Sequence, residues 1–120
     1  MSTIGTITKV VDAATVATTK YTVGTAVNTK GKKYVRVTVK SDKVFTLYGW
    51  GHTDPFSSAG GNAPTTGCAI PSNTSTACPA TAADGSIYYM RCAGNYYFLP
   101  LVYQASGGNA TITVTAEPFD

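Results

Sequence analysis

A chain of 120 residues can bury one core without a metal or a dense set of disulfides, so one domain spanning residues 1–120 is expected. Only 12% of its residues are charged, against about a quarter in ordinary soluble domains, and a surface so poor in charge suits burial in a larger assembly. The net charge of +3 is uneven: Lys9, Lys20, Lys30, Lys32, Lys33, Arg36, Lys40 and Lys43 precede residue 44, while Arg91 is the sole later base. Such a field suits an acidic partner. The bases carry no helix-turn-helix, zinc-finger or aromatic RNA-binding signature, so nucleic acid is not expected as a partner.

In chain order, Ile4 to Val11 and Thr18 to Val23 read as two weak strands separated by Asp12-Ala-Ala-Thr. Asn28-Thr-Lys-Gly31-Lys-Lys is a turn signal, because Gly accepts positive φ and Asn and Thr satisfy local backbone groups. Tyr34 to Lys40 alternates strictly and sends Val35, Val37 and Val39 to one face, the mark of an antiparallel sheet with a wet side. Ser41-Asp42-Lys43 then reads as a short hairpin connection to Val44–Trp50, where Phe45 and Leu47 join the valine face and Trp50 falls on the other parity, capping the core.

Residues 51–85 are rich in Gly, Pro, Ser and Thr and are expected to form a long central loop or interaction arm. Three strands complete the scaffold: Ile87–Cys92, Tyr96–Tyr103 and Ala110–Ala116. Pro100 predicts that its strand is bent, broken or at a sheet edge, because Pro gives no ladder hydrogen bond. Tyr88 and Tyr89 project to opposite faces, as do Tyr96 and Tyr97, so each pair offers one ring to the core and one outward. The fold class expected is all-β, an antiparallel β-sandwich or jelly roll.

Candidate chemistry is thin. Cys68 and Cys78 bracket a short loop and form a possible disulfide, whereas Cys92 reads as a small buried hydrophobe. The three cysteines and His52 lack the close Cys pair of usual zinc knuckles. His52, Asp54 and Ser57 or Ser58 can be drawn as a hydrolase triad, but with no nucleophile elbow, and the scattered carboxylates form no glycosidase pair. The chain is therefore expected to be no enzyme and to use no cofactor. It shows neither a secretory leader nor an apolar run long enough for a membrane helix, so no membrane partner is expected. A sugar platform is the alternative use of the tyrosines, with Asn95, Gln104 and Asn109 as hydrogen-bonding candidates. The residues expected at a protein interface are Trp50, His52, Phe56, Tyr88, Tyr96, Tyr103, Lys30, Lys32 and Lys33.

The opening Met-Ser-Thr-Ile-Gly-Thr-Ile-Thr, the central Gly/Thr/Pro-rich excursion, Tyr96-Tyr-Phe-Leu-Pro-Leu-Val-Tyr and the closing Gly-Gly-Asn-Ala-Thr-Ile-Thr-Val-Thr-Ala together resemble small capsid decoration or cement proteins of tailed bacteriophages. The resemblance covers most of the chain in style and carries over no residue role. It implies a virion protein made in the host cytoplasm that binds the outer capsid surface as a homo-oligomer, a dimer or trimer, with the major capsid protein as partner. The alternatives are a glycan- or host-receptor-binding module and a minor tail or baseplate component.

Overall fold

The computed structural model describes residues 7–92, 96–104 and 107–120; the strand start expected at Ile4 and Asn95 of the sugar-site candidates lie outside these. The strands are β1 (Thr8–Val16), β2 (Lys20–Tyr21), β3 (Val27–Asn28), β4 (Tyr34–Ser41), β5 (Phe45–His52), β6 (Cys68–Ala69), β7 (Ser75–Cys78), β8 (Ser86–Arg91), β9 (Tyr97–Gln104) and β10 (Ala110–Phe119), with a 3-10 turn at Pro71–Asn73 between β6 and β7. They make an all-β domain of two antiparallel sheets. One has the order β1-β10-β4-β8; in the other, β2 and β3 flank β9, followed by β5 and then β6 and β7.

Strict alternation in β4 puts Val35, Val37 and Val39 at zero exposure, level with Pro118, Ala116 and Val114 of β10. Across the core they meet Phe45 and Leu47 of β5 and Phe98 and Val102 of β9. Each such side chain contributes roughly 1.5–3 kcal/mol of burial free energy. The expected hairpin between β4 and β5 does not form, because the two strands belong to different sheets. Phe45 and Leu47 therefore face the valines rather than extend their row. The corner is tied by side chains: Ser41 Oγ donates to Lys43 O at 2.8 Å, and Ser41 N donates to Thr81 Oγ1 at 3.0 Å.

β1 runs through the expected break at Asp12-Ala-Ala-Thr by slipping register twice against β10. Ala13 takes φ +48° there, with its N–H donating to Thr113 Oγ1 at 2.9 Å. A bulge thus absorbs the residues that looked like a connection. The second expected strand shrinks to Lys20–Tyr21.

β9 corrects the expectation for Pro100. The strand is unbroken and central, with Pro100 in register with Gly49 of β5. Backbone groups of Phe98, Val102 and Gln104 point away from β5: Phe98 pairs with Val27, Val102 N donates to Thr22 Oγ1 at 3.1 Å, and Gln104 pairs with Lys20. By the same parity the Pro100 nitrogen faces the interval between β2 and β3, where no ladder partner asks for a donor. Gly49 is required opposite it, since a Cβ there would lie 2.7 Å from the Phe98 ring and 2.8 Å from Asn73 Nδ2.

The outer face of β9 is also buried. Leu99 and Leu101 have zero exposure and form a second cluster with Phe56 and Ala26, flanked by Tyr21, Tyr48, Trp50 and Tyr97. The cover comes from the segment expected to be a loop or arm. Residues 56–61 run antiparallel to 21–26, with Ala26 N donating to Phe56 O at 2.9 Å, Ser58 N to Gly24 O at 2.9 Å and Tyr21 N to Gly61 O at 2.8 Å. Gly51 and His52 belong to β5, and residues 68–78 supply two short strands along its free edge. Asn73 then ties this edge to the other sheet: its Nδ2 donates to Arg91 O at 2.7 Å and its Oδ1 accepts from Arg91 N at 2.9 Å.

Two substitutions measure these devices by denaturant unfolding. Phe56→Ala is expected to cost about 3 kcal/mol, because it uncovers the outer leucines. Asn73→Ala is expected to cost about 2 kcal/mol, because it leaves two main-chain groups of Arg91 without their partner. Both should lower the midpoint with little change in slope.

Candidate functional site

The Asn28–Lys33 segment forms the turn expected. Lys30 and Gly31 take φ of +52° and +77°, and Lys32 N donates to Thr29 O at 3.0 Å, the pattern of a type I′ turn. Asn28 Oδ1 accepts from Lys30 N at 2.8 Å. The turn is fixed to the body on two sides. Thr29 N and Oγ1 both donate to Tyr96 O, at 2.7 and 3.1 Å. Lys33 N donates to Asp120 Oδ1 at 3.2 Å, and Lys32 Nζ lies 3.7 Å from the same carboxylate.

Lys30 and Lys32 of this turn and Lys9 of β1 line an open groove of about 900 Å³. Residues 23–29 line one long side of it, and Val10, Val23 and Pro118 supply apolar surface. Gly24 sets the wall's position, because a Cβ there would lie 2.8 Å from Val10 Cγ1. Asp12, 3.6 Å from Lys9, and Asp120 offset part of the positive charge, while Lys30 has no ion pair among the described residues. A basic, partly apolar trough suits an extended acidic segment of another protein.

The other interface candidates divide between faces. Trp50 and Tyr103 lie half-buried on the outer face of the β9–β5 sheet, where Tyr103 sits 4.7 Å from Tyr21. Tyr21 is also 6.0 Å from Tyr48, and its hydroxyl is pushed up first by burial and then by these neighbouring tyrosines. His52 is half-buried with its ring 6.4 Å from Phe56, and its Nδ1 accepts from Asp54 N at 3.0 Å. Tyr96 is 55% exposed. Lys33 is exposed but does not line the groove.

Two candidates are corrected. Phe56 is buried as the lid of the second cluster, so it offers no surface of its own. Tyr88 packs inward, 6.2 Å edge-on to Phe45, and Tyr89 is the outward ring at 68% exposure. Met90 is core, and parity with it decides which tyrosine turns inward. Sequence reasoning also missed Lys9, Val23 and Pro118, which meet only through the bulge of β1 and the end of β10.

The expected bridge between Cys68 and Cys78 is absent, and both thiols are free. Cys68 is level with Gly51 and Cys78 with Phe45, six residues apart on β5, which is roughly 20 Å of strand and beyond any disulfide's reach. Cys78 Sγ instead donates to Ser75 O at 3.3 Å. Ser57 Oγ donates to Thr25 Oγ1 and Ser58 Oγ to Thr22 O, so these hydroxyls stitch the lid rather than approach His52. Among the described residues no group of three or more His, Cys, Asp or Glu is placed to hold a metal ion. Comparison with known proteins finds no matching family model, curated protein or solved structure.

Cys92 is fully buried, with Sγ donating to Lys32 O at 3.1 Å directly behind the lysine turn. Burial, aided by the Asp120 charge and partly offset by a hydrogen bond to Thr29, pushes its thiol up to about 11. Burial, then the contact with Cys78, pushes Tyr88 up to about 12. Both groups keep their protons in the fold where the unfolded chain releases them. Stability from Cys92 is thus fully present below about pH 9 and is lost as pH rises through about 11; Tyr88 extends the loss from about pH 10 to 12. Unfolding free energy should fall along this alkaline limb, and Cys92→Ala should flatten its first part. A thiol reagent at pH 8 should modify Cys68 in the native protein and reach Cys78 and Cys92 only on unfolding.

Proposed function

We propose that this chain is a non-enzymatic structural protein of a virion that binds the outer surface of an assembled capsid and reinforces contacts between its subunits. The lysine-lined groove carries the reading: Lys9, Lys30 and Lys32 line a mixed polar and apolar trough, and its charge supports binding of an extended acidic segment of a shell subunit. The low charge content and the exposed Val23, Ile87, Tyr89 and Tyr96 support a life spent against other proteins. A small unit that touches several shell subunits gains avidity from repetition, so moderate single contacts suffice. The scaffold in this proposal is an antiparallel β-sandwich, a reading supported by the core shared between two sheets.

Gradient-purified native particles should carry the chain in a regular, near-stoichiometric ratio to the major shell protein. In rebinding to stripped particles, the Lys30→Glu/Lys32→Glu double variant should bind at least about tenfold more weakly, and wild-type binding should weaken as salt shortens the reach of the charges. Unchanged binding of the folded double variant removes the groove from the mechanism. A few copies per particle would point to a tail or baseplate part. Absence from particles together with affinity for a soluble glycan would replace the proposal by a recognition module.

A further inference from the structure

Both sheets have edges, and most are protected. β1 is bulged twice, turns through a positive φ at Ala13 and carries Lys9 and Asp12. β2, β3 and β6 are two residues long, and β7 is four residues long with a register shift and a positive φ at Ala77. These are the usual devices against unwanted strand pairing. β8 has few of them: it pairs with β4 over six residues without a slip, contains neither Lys nor Pro, and carries its one charge, Arg91, at its last residue.

The direction of its backbone follows from three hydrogen bonds. Cys92 N donates to Lys33 O, toward β4, whereas Arg91 N and O bond to Asn73 on the opposite side. By alternation, the main-chain groups of Ile87 and Tyr89 point outward with Arg91's. Among the described residues, the hydrogen bonds made to this edge are those of Asn73 at Arg91. The side chains of Ile87 and Tyr89 are 55% and 68% exposed on the solvent face of the sheet. There Tyr89 lies 6.0 Å edge-on to Phe119, which stacks 5.5 Å from Tyr34, and Arg91 sits 6.0 Å over the Tyr34 ring. An open ladder and an aromatic surface therefore coincide.

We infer that β8 pairs with β8 of a second copy of this chain, antiparallel about a two-fold axis in the middle of the free stretch, joining two four-stranded sheets into one. The strand is self-complementary in this direction. Ile87 of each copy falls opposite Tyr89 of the other, an apolar–aromatic pair of the kind that stabilises sheets, and the outward N–H and C=O groups of both residues are satisfied together. Asp84 precedes the strand and Arg91 ends it, so antiparallel pairing brings opposite charges together at both ends, where parallel pairing would bring like charges together. The turn closed by Gly85 N donating to Ala82 O, with Gly85 at φ +86°, carries the second copy's chain off the edge where Asn73 stands. The pairing needs no capsid and is independent of the groove.

Sedimentation equilibrium of the full chain tests it. The wild type should show a concentration-dependent dimer, and Tyr89→Lys should weaken it about tenfold or more while leaving the unfolding midpoint nearly unchanged at concentrations where both proteins are monomeric, since the side chain is exposed. Asp84→Lys and Arg91→Asp should each weaken the dimer, and the double variant should restore it. Amide exchange should slow at Ile87 and Tyr89 as concentration rises. A wild type that stays monomeric at millimolar concentration overturns the inference, as does a dimer or trimer indifferent to folded Tyr89→Lys or to the charge pair.

Discussion

Burial of β9 on both faces is the constraint from which most of this structure follows. Phe98 and Val102 face the main core while Leu99 and Leu101 fill the opposite face, all at zero exposure. A sheet with one apolar face can leave the other wet; a strand with two must be covered twice. The second cover is the ribbon made by residues 21–26 and 56–61, with Phe56 as its wedge. Drawing the chain outward to form that ribbon separates β2 from β3, and the interval between them is where Pro100 fits without losing a ladder bond.

The same displacement makes the groove. Residues 23–26 belong to the lid on one side and line the groove on the other, seated against β1 by Gly24. The lysine turn at the groove's end rests on Cys92, Tyr96 and Asp120, so the position of its charges is set by main-chain bonds from distant parts of the chain. Lid, wall and turn are therefore coupled: a change in how the lid packs would move the surface offered to a partner. This is a useful property for a protein whose proposed work is docking, where placement of a few charges and apolar groups decides specificity more than area does.

The two faces of the molecule differ in kind. The face bearing Tyr21, Tyr48, Tyr103 and Trp50 is already tiled by aromatic contacts with the outer cluster beneath it. The opposite sheet is a threonine-rich wet face except at one end, where Tyr34, Tyr89, Phe119 and Arg91 gather beside the plain edge of β8. Arg36 and Glu117, paired in register on neighbouring strands, fill the centre of that end, and Glu117 is largely covered by the pair.

How much of this was legible in the residues depended on the range of the interaction involved. Local patterns spoke for themselves: the alternation of Tyr34–Lys40 named the buried valines, Asn28 to Gly31 named a tight turn, and adjacent tyrosines had to split between faces. Pairing partners were hidden, since β1 meets β10, β4 meets β8 and β5 meets β9 across long stretches of chain, and alternation is the same whichever strand lies alongside. That is why a hairpin was expected where the chain changes sheets, why Pro100 looked like an edge residue, and why Cys68 and Cys78 looked close. The sequence by itself determined an all-β chain, its inward side chains and its basic first half. Tertiary structure alone decided which strands are central, that Phe56 is a lid rather than an anchor, and that Lys9, Lys30 and Lys32 share one groove, because periodicity fixes the face of a strand and never its neighbour.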